Sequence, residues 1–218
     1  FRRVLFRSFE AESKRFMLTE DFMLKDIYER IWDLARPYLN TRKNDIHTEI
    51  STGLAQQLLV REGGEEDIVI PAIILHDVGW KEVPEDIQSK AFGPKASMPE
   101  WNRVHEVEGA KIAGHILRKV NYRKDKILEI QEIIKGHDSR KEPISLNDSI
   151  VKDADKLWRY SEIAIRRVQM GFGLTFEECI ERLCQNLEPW FLTKSGKRMA
   201  TEEIEKRMKA PKKAGSEM

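Results

Sequence analysis

Cysteine is scarce in this 218-residue chain: Cys179 and Cys184 are the only two. Their spacing within Thr175–Gln185 does not put both thiols on one helical face, and alone they build neither a disulfide framework nor a zinc knuckle. They read as core or surface thiols in a reducing, cytoplasmic setting. Excess charge of either sign is missing too. With 38 basic and 37 acidic residues, no overall field draws the chain toward DNA, RNA or an anionic membrane, although a local basic pocket stays possible. No apolar run approaches the ~20 residues that a membrane span needs. No internal repeat or low-complexity segment is visible.

What is present suffices for one sizeable domain, with 40% hydrophobic and 34% charged residues, the balance of an ordinary soluble globular protein. Phe1–Phe16 is basic and aromatic but lacks the continuous apolar stretch of a secretory signal. Since Met17 opens a smoother sequence, residues 1–16 are expected to be a leader foreign to the domain. The domain is expected over 17–210, with its C-terminal helices at 175–209 and a basic tail at 211–218.

The apolar pattern is helical nearly throughout. Phe22–Leu39 carries Met23, Ile27, Ile31, Trp32 and Leu34 at three-to-four spacing and should stop at Arg36-Pro37 or shortly after. Asn44 or Asp45 can cap a second helix with Ile46/His47, Ile50, Leu54 and Leu58 on one face, ended by Gly63-Gly64. Asp67–His76 is apolar on every side. It is expected to be the central buried helix, with Pro71 in its first turn and Gly79 closing it. Trp80–Pro99, with Pro84, Gly93, Pro94 and Pro99, reads as a long loop of the kind that often carries function. Helical pattern returns at Glu100–Val120, Lys124–Lys135, Asn147–Met170, Thr175–Leu187 and Lys197–Lys209. The expected fold class is all-α, a single helical bundle.

Five histidines are present, and four of them sit beside apolar positions of different segments. His76 and Asp77 end the most apolar segment, where an unpaired carboxylate must find a metal, a cation or a set of donors. Neighbouring helical residues point ~100° apart, so both can serve one ion only near a helix end. A carboxylate can bridge two ions, whereas neutral imidazole serves one. His47 shares a stripe with Ile50, Leu54 and Leu58. His137 follows Ile130, Ile133 and Ile134, and His105 has Gly109 one turn later, which clears room for a ligand or for close helix approach. His115 falls on the opposite side of its helix from His105 and is left out. In Asp153-Ala154-Asp155, both acids border apolar positions, and periodicity does not choose between them. Asp138 forms a second His-Asp doublet but, followed by Ser139-Arg140, looks more exposed than Asp77.

On these residues the chain resembles the HD-domain superfamily over roughly Asp21–Met170. His47, His76-Asp77 and Ala154-Asp155-Lys156-Leu157 match its H…HD…D pattern on a helical bundle. The A-D-x-L form singles out Asp155 as the last ligand, leaving Asp153 and Asp138 to orient ligands or shuttle a proton. The additional His105 and His137 resemble the variant that binds two metals, with Asp77 bridging. No Gly-Tyr-Pro follows a histidine, and Trp80 stands where the cyclic di-GMP enzymes carry lysine.

The resemblance implies metal-dependent hydrolysis of a phosphoester, in a nucleotide or another small molecule, with His76 and Asp77 at the catalytic centre. His47, His76, Asp77, His105, His137 and Asp155 would ligate one or two ions. Mixed imidazole and carboxylate ligands suit Fe, Mn, Ni or Zn better than Mg. Lys81, Arg103, Arg140, Lys156 and Arg159 are the nearby cations that would bind phosphate. The tryptophans Trp32, Trp101, Trp158 and Trp190 could stack a base but at helical spacing read as core or rim. The alternatives are a di-iron oxygenase with the same ligands and a non-catalytic nucleotide sensor. Assembly into a homo-oligomer is left open.

Overall fold

The computed structural model describes residues 26–91 and 96–209. The expected leader (1–16), the start of the first helix (22–25) and the basic tail (211–218) lie outside them. Every regular element among the described residues is helical. Helix α1 runs over 26–39, followed by α2 (Asn44–Glu62), α3 (Glu66–Leu75), a 3₁₀ turn (Val78–Glu82), α4 (Glu85–Ala91) and α5 (Trp101–Lys119). Then come α6 (Lys124–Ile134), α7 (Leu146–Leu157), a second 3₁₀ turn (Trp158–Tyr160), α8 (Glu162–Phe172), α9 (Phe176–Gln185), α10 (Leu187–Trp190) and α11 (Lys194–Lys209). Among the described residues, no helix is long and apolar enough to cross a membrane.

The centre is α3, as its all-round apolar sequence requires. Ile68 through Leu75 are all buried, and the helix is surrounded by α2, α6 and α7. Each isoleucine or leucine removed from water there contributes about 1.5–3 kcal/mol. One continuous apolar cluster runs from Ile31 through α3 and α6 to Ile204 of α11.

Pro71 does not sit in the first turn; it is the sixth residue of α3. Lacking an N–H, it leaves the carbonyl of Asp67 without its helical donor. The Tyr122 hydroxyl fills that gap, donating to the Asp67 carbonyl at 2.6 Å, so the helix continues through the proline.

Two further expectations are corrected. Trp80–Pro99 is not one long loop, because a 3₁₀ turn and α4 occupy much of it. Asn147–Met170 is not one helix either. The chain breaks at Ser161, extended at φ −70° and ψ 152°, whose side chain accepts from the Ala164 N–H and starts α8 in a new direction. The apolar periodicity runs across the break and conceals it.

Replacing Tyr122 by Phe should leave the Asp67 carbonyl unpaired and lower the unfolding free energy by about 1–3 kcal/mol. Urea denaturation of wild type and Tyr122→Phe checks this, with metal content expected to stay unchanged.

Candidate metal centre

The ligand-type residues collect where helices end. α3 stops at Leu75, His76 stays in the helical region, and Asp77 turns away at φ −103° and ψ 5°. That change lets adjacent residues face one point, which a continuing helix forbids. His137 likewise follows the end of α6, whereas His47, His105 and Asp155 project from within α2, α5 and α7. Close approach of α5 depends on glycine: a Cβ on Gly79 would stand 1.9 Å from the His105 carbonyl oxygen and 2.4 Å from the Gly109 nitrogen. Gly79 therefore clears space for the α5 backbone at His105 and Gly109, and His105 is carried toward Asp77.

The side chains form two groups sharing Asp77. In the first, His47 Nε2 lies 2.8 Å from His76 Nε2. Asp155 Oδ1 stands 3.3 Å from His47 Nε2 and 3.7 Å from His76 Nε2, and Asp77 Oδ2 stands 3.5 and 3.7 Å from the same atoms. In the second, His105 Nε2 lies 3.3 Å from His137 Nε2. Asp77 Oδ1 is 3.8 and 3.7 Å from these nitrogens, and Asp138 Oδ2 is 3.7 and 3.8 Å from them. Asp77 thus turns one oxygen to each pair. Asp138, expected to orient ligands from behind, instead presents an oxygen at the same range as the bridging carboxylate.

These groups fit cations. His76 Nδ1 donates to the Ile73 carbonyl at 2.7 Å and His137 Nδ1 to the Ile134 carbonyl at 2.8 Å. In the neutral tautomer this leaves each Nε2 as a bare lone pair aimed at another imidazole nitrogen. Donor atoms that share one ion at about 2.1 Å stand about 3.0–3.4 Å apart, close to the spacing found here. The triads His47/His76/Asp155, His76/Asp77/His137 and His105/His137/Asp138 each have mutually convergent donor atoms.

Electrostatics agrees. Burial lowers His47, and burial with the neighbouring His137 lowers His105 to about 4, so both imidazoles are neutral near pH 7. Burial opposes charge on His137 as well, but Asp77 and Asp138 overcome it and raise its pKa to about 9. Burial also works against ionised Asp77, Asp138 and Asp155. Surrounding imidazoles, together with Lys156 and Arg159, nevertheless hold all three below the usual carboxylate range.

Of the five cations named from sequence, two reach the centre. Lys156 Nζ stands 2.9 Å from both Asp138 Oδ1 and Asp155 Oδ2, and Arg159 stands 3.2 Å from Asp155 Oδ2. Arg140 instead pairs with Asp148 at 2.9 Å, Arg103 pairs with Glu106 at 3.0 Å, and Lys81 is exposed on the 3₁₀ turn. Asp153 is not beside the ligands. It points to the other side of α7, where it accepts from the Leu192 and Thr193 N–H groups and the Thr193 hydroxyl at 2.7–2.8 Å, anchoring the start of α11.

Sequence reasoning missed Arg42. Its guanidinium lies 3.8 Å over the Trp80 ring, which stacks on His105 at 4.2 Å and donates to Asp77 Oδ1 at 3.0 Å. Arg42 holds a left-handed backbone at φ 52° in the turn before α2, a conformation that no glycine or asparagine at that position announces. Trp158 meets His47 edge-on at 4.6 Å. His115 is exposed, as its helical phase implied.

Residues 44–159, more than half of the chain and including every ligand candidate, match the family profile described as HD domain. No curated protein sequence matches the chain. Among solved structures, the crystal structure of a predicted HD superfamily hydrolase from an uncultured Thermotogales bacterium is similar, with a TM-score of 0.57 at 20% identity. The likeness covers 83% of this chain and 86% of that one; at this identity it shows the fold.

Asp155→Asn should reduce metal content measured by elemental analysis, whereas Asp153→Asn should lower thermal stability and leave metal content intact. Loading the metal-free protein at pH 7.5 should release about one proton, because His137 titrates near 9 and must deprotonate to ligate. The release should fall away as pH rises through that value, as read by calorimetry in buffers of different ionisation enthalpy.

Proposed function

Because the chain belongs to the HD-domain family, we propose that it is a metal-dependent hydrolase that cleaves a phosphoester bond, with a nucleotide as the favoured substrate class. One observation carries the two-ion form of this proposal: Asp77 directs Oδ2 to His47 and His76 and Oδ1 to His105 and His137. His47, His76, Asp77 and Asp155 would hold one ion; His105, His137, Asp77 and Asp138 would hold the other. When bound, such ions supply Lewis acidity, lowering the pKa of a water and offsetting charge on phosphoryl oxygens. The mixed nitrogen and oxygen donor set favours Fe, Mn, Ni or Zn.

The chain's own groups supply orientation and charge. Trp80 fixes the Asp77 carboxylate by donating to Oδ1. Lys156 and Arg159 occupy the outer oxygens of Asp138 and Asp155, holding the inner oxygens toward the imidazoles. At the centre, solvent reaches the side chains of Asp138 (26% exposed), Lys156 (16%) and Arg159 (34%), whereas the histidines lie at 6% or less. Substrate would therefore approach from the Asp138 side and meet two cations, an arrangement suited to a phosphate.

The test is turnover by the chain loaded separately with Mn²⁺, Ni²⁺, Fe²⁺ or Zn²⁺ on nucleotides and nitrophenyl phosphate esters. Hydrolysis that disappears in Asp77→Ala is expected. Oxygen uptake by a di-iron form, with no ester cleaved under any metal, would overturn the proposal.

A further inference from the structure

His137 and Asp138 lie on a segment, 135–140, that leaves α6 without joining another helix or pairing with any strand. The N–H groups of Lys135, Gly136, His137 and Arg140 pair with backbone carbonyls, which leaves those of Asp138 and Ser139, and the carbonyl side of the segment, to find partners elsewhere. Two buried side chains of opposite charge meet them. Glu106, fully buried and adjacent to His105, accepts at Oε1 from the Asp138 N–H at 2.9 Å and the Ser139 N–H at 2.8 Å. At Oε2 it accepts from the Ser139 hydroxyl at 2.6 Å and from Arg103 at 3.0 Å. Lys152, 4% exposed, donates from Nζ to the carbonyls of Gly136, His137 (3.1 Å) and Arg140 (2.8 Å).

An anion therefore grips the N–H side of this segment while a cation grips its carbonyl side. Burying full charges is a poor route to stability, since well-packed neutral groups do as well or better. Charges do make the stronger and more directional hydrogen bonds, which hold a backbone in one position. The segment so held carries His137 and Asp138, two members of the convergent triad His105/His137/Asp138, and Glu106 links it to the helix that carries the third, His105. His47, His76 and Asp155 come from other elements and take no hydrogen bond from either side chain.

We propose that Glu106 and Lys152 are positioning residues for the second ion: they clamp the 136–140 backbone so that His137 and Asp138 converge with His105, and the first ion does not depend on them. This rests on the two-ion reading under Proposed function. Neither residue touches the reacting atoms; each acts through the ligands it orients.

The experiment titrates the 218-residue chain, wild type, Glu106→Gln and Lys152→Met, with Mn²⁺. Elemental analysis and spin-coupled electron paramagnetic resonance count the ions, and circular dichroism monitors folding. Wild type should hold two ions and show the coupled signal. Each variant should keep wild-type helicity and the first ion while losing the coupled signal, with affinity for the second falling about 10–100-fold. Two ions held at wild-type affinity in both variants would overturn the clamp alone, as would loss of both ions together. Failure of both variants to fold would also overturn it, by making the pair a requirement of the core. A wild-type chain that holds a single ion would overturn the two-ion reading itself, and the clamp with it.

Discussion

Asp77, Asp138 and Asp155 are drawn into one small volume of a helical bundle, and their charge must be met from within. Each turns at least one oxygen toward imidazole nitrogens. The other oxygens of Asp138 and Asp155 reach Lys156 and Arg159, while Asp77 divides itself between the two histidine pairs. Remove this compensation and the neighbouring histidines, Lys156 and Arg159 become uncompensated charges or unmatched lone pairs. The elements that carry or lead into the ligands, α2, α3, α5, α6 and α7, also pack extensively against one another, so the charges meet where the apolar core already brings the helices together.

The arrangement uses helix ends as much as helix faces. α3 brings apolar surface to the centre and then stops, so that two consecutive residues, which a continuing helix would point about 100° apart, can face one point. The hydrogen bonds from His76 and His137 to the carbonyls of Ile73 and Ile134 do two jobs. They tie each imidazole to a carbonyl in the last turn of α3 or α6, and they set the tautomer that presents Nε2. Glycine at Gly79 and Gly109 supplies the remaining freedom, since any side chain at Gly79 would meet backbone.

Much of this was legible beforehand. His47, His105 and His137 stood beside apolar stripes, and the all-round apolar run before His76-Asp77 required a buried helix. Other features were invisible for identifiable reasons. Asp153 and Asp155 border apolar positions equally well, and only the course of the chain at 192–193 shows that Asp153 serves the start of α11. Asp138 sits among polar residues, so its local sequence resembles a surface. Arg42 belongs to a turn whose left-handed backbone has no glycine to mark it. Arg140 and Arg103 lie near ligands in sequence, yet Asp148 and Glu106 draw them elsewhere.

The amino-acid sequence by itself determined the helical class, the burial of α3 and the residue types that gather at the centre. Apolar periodicity and the cost of burying an unpaired charge are properties of short stretches. Tertiary structure alone decided how Asp77 divides its two oxygens, which neighbouring carboxylates join it and which cations reach them. Those outcomes depend on where α2, α5 and α7 stand around the end of α3, and that placement comes from packing between segments far apart in the chain.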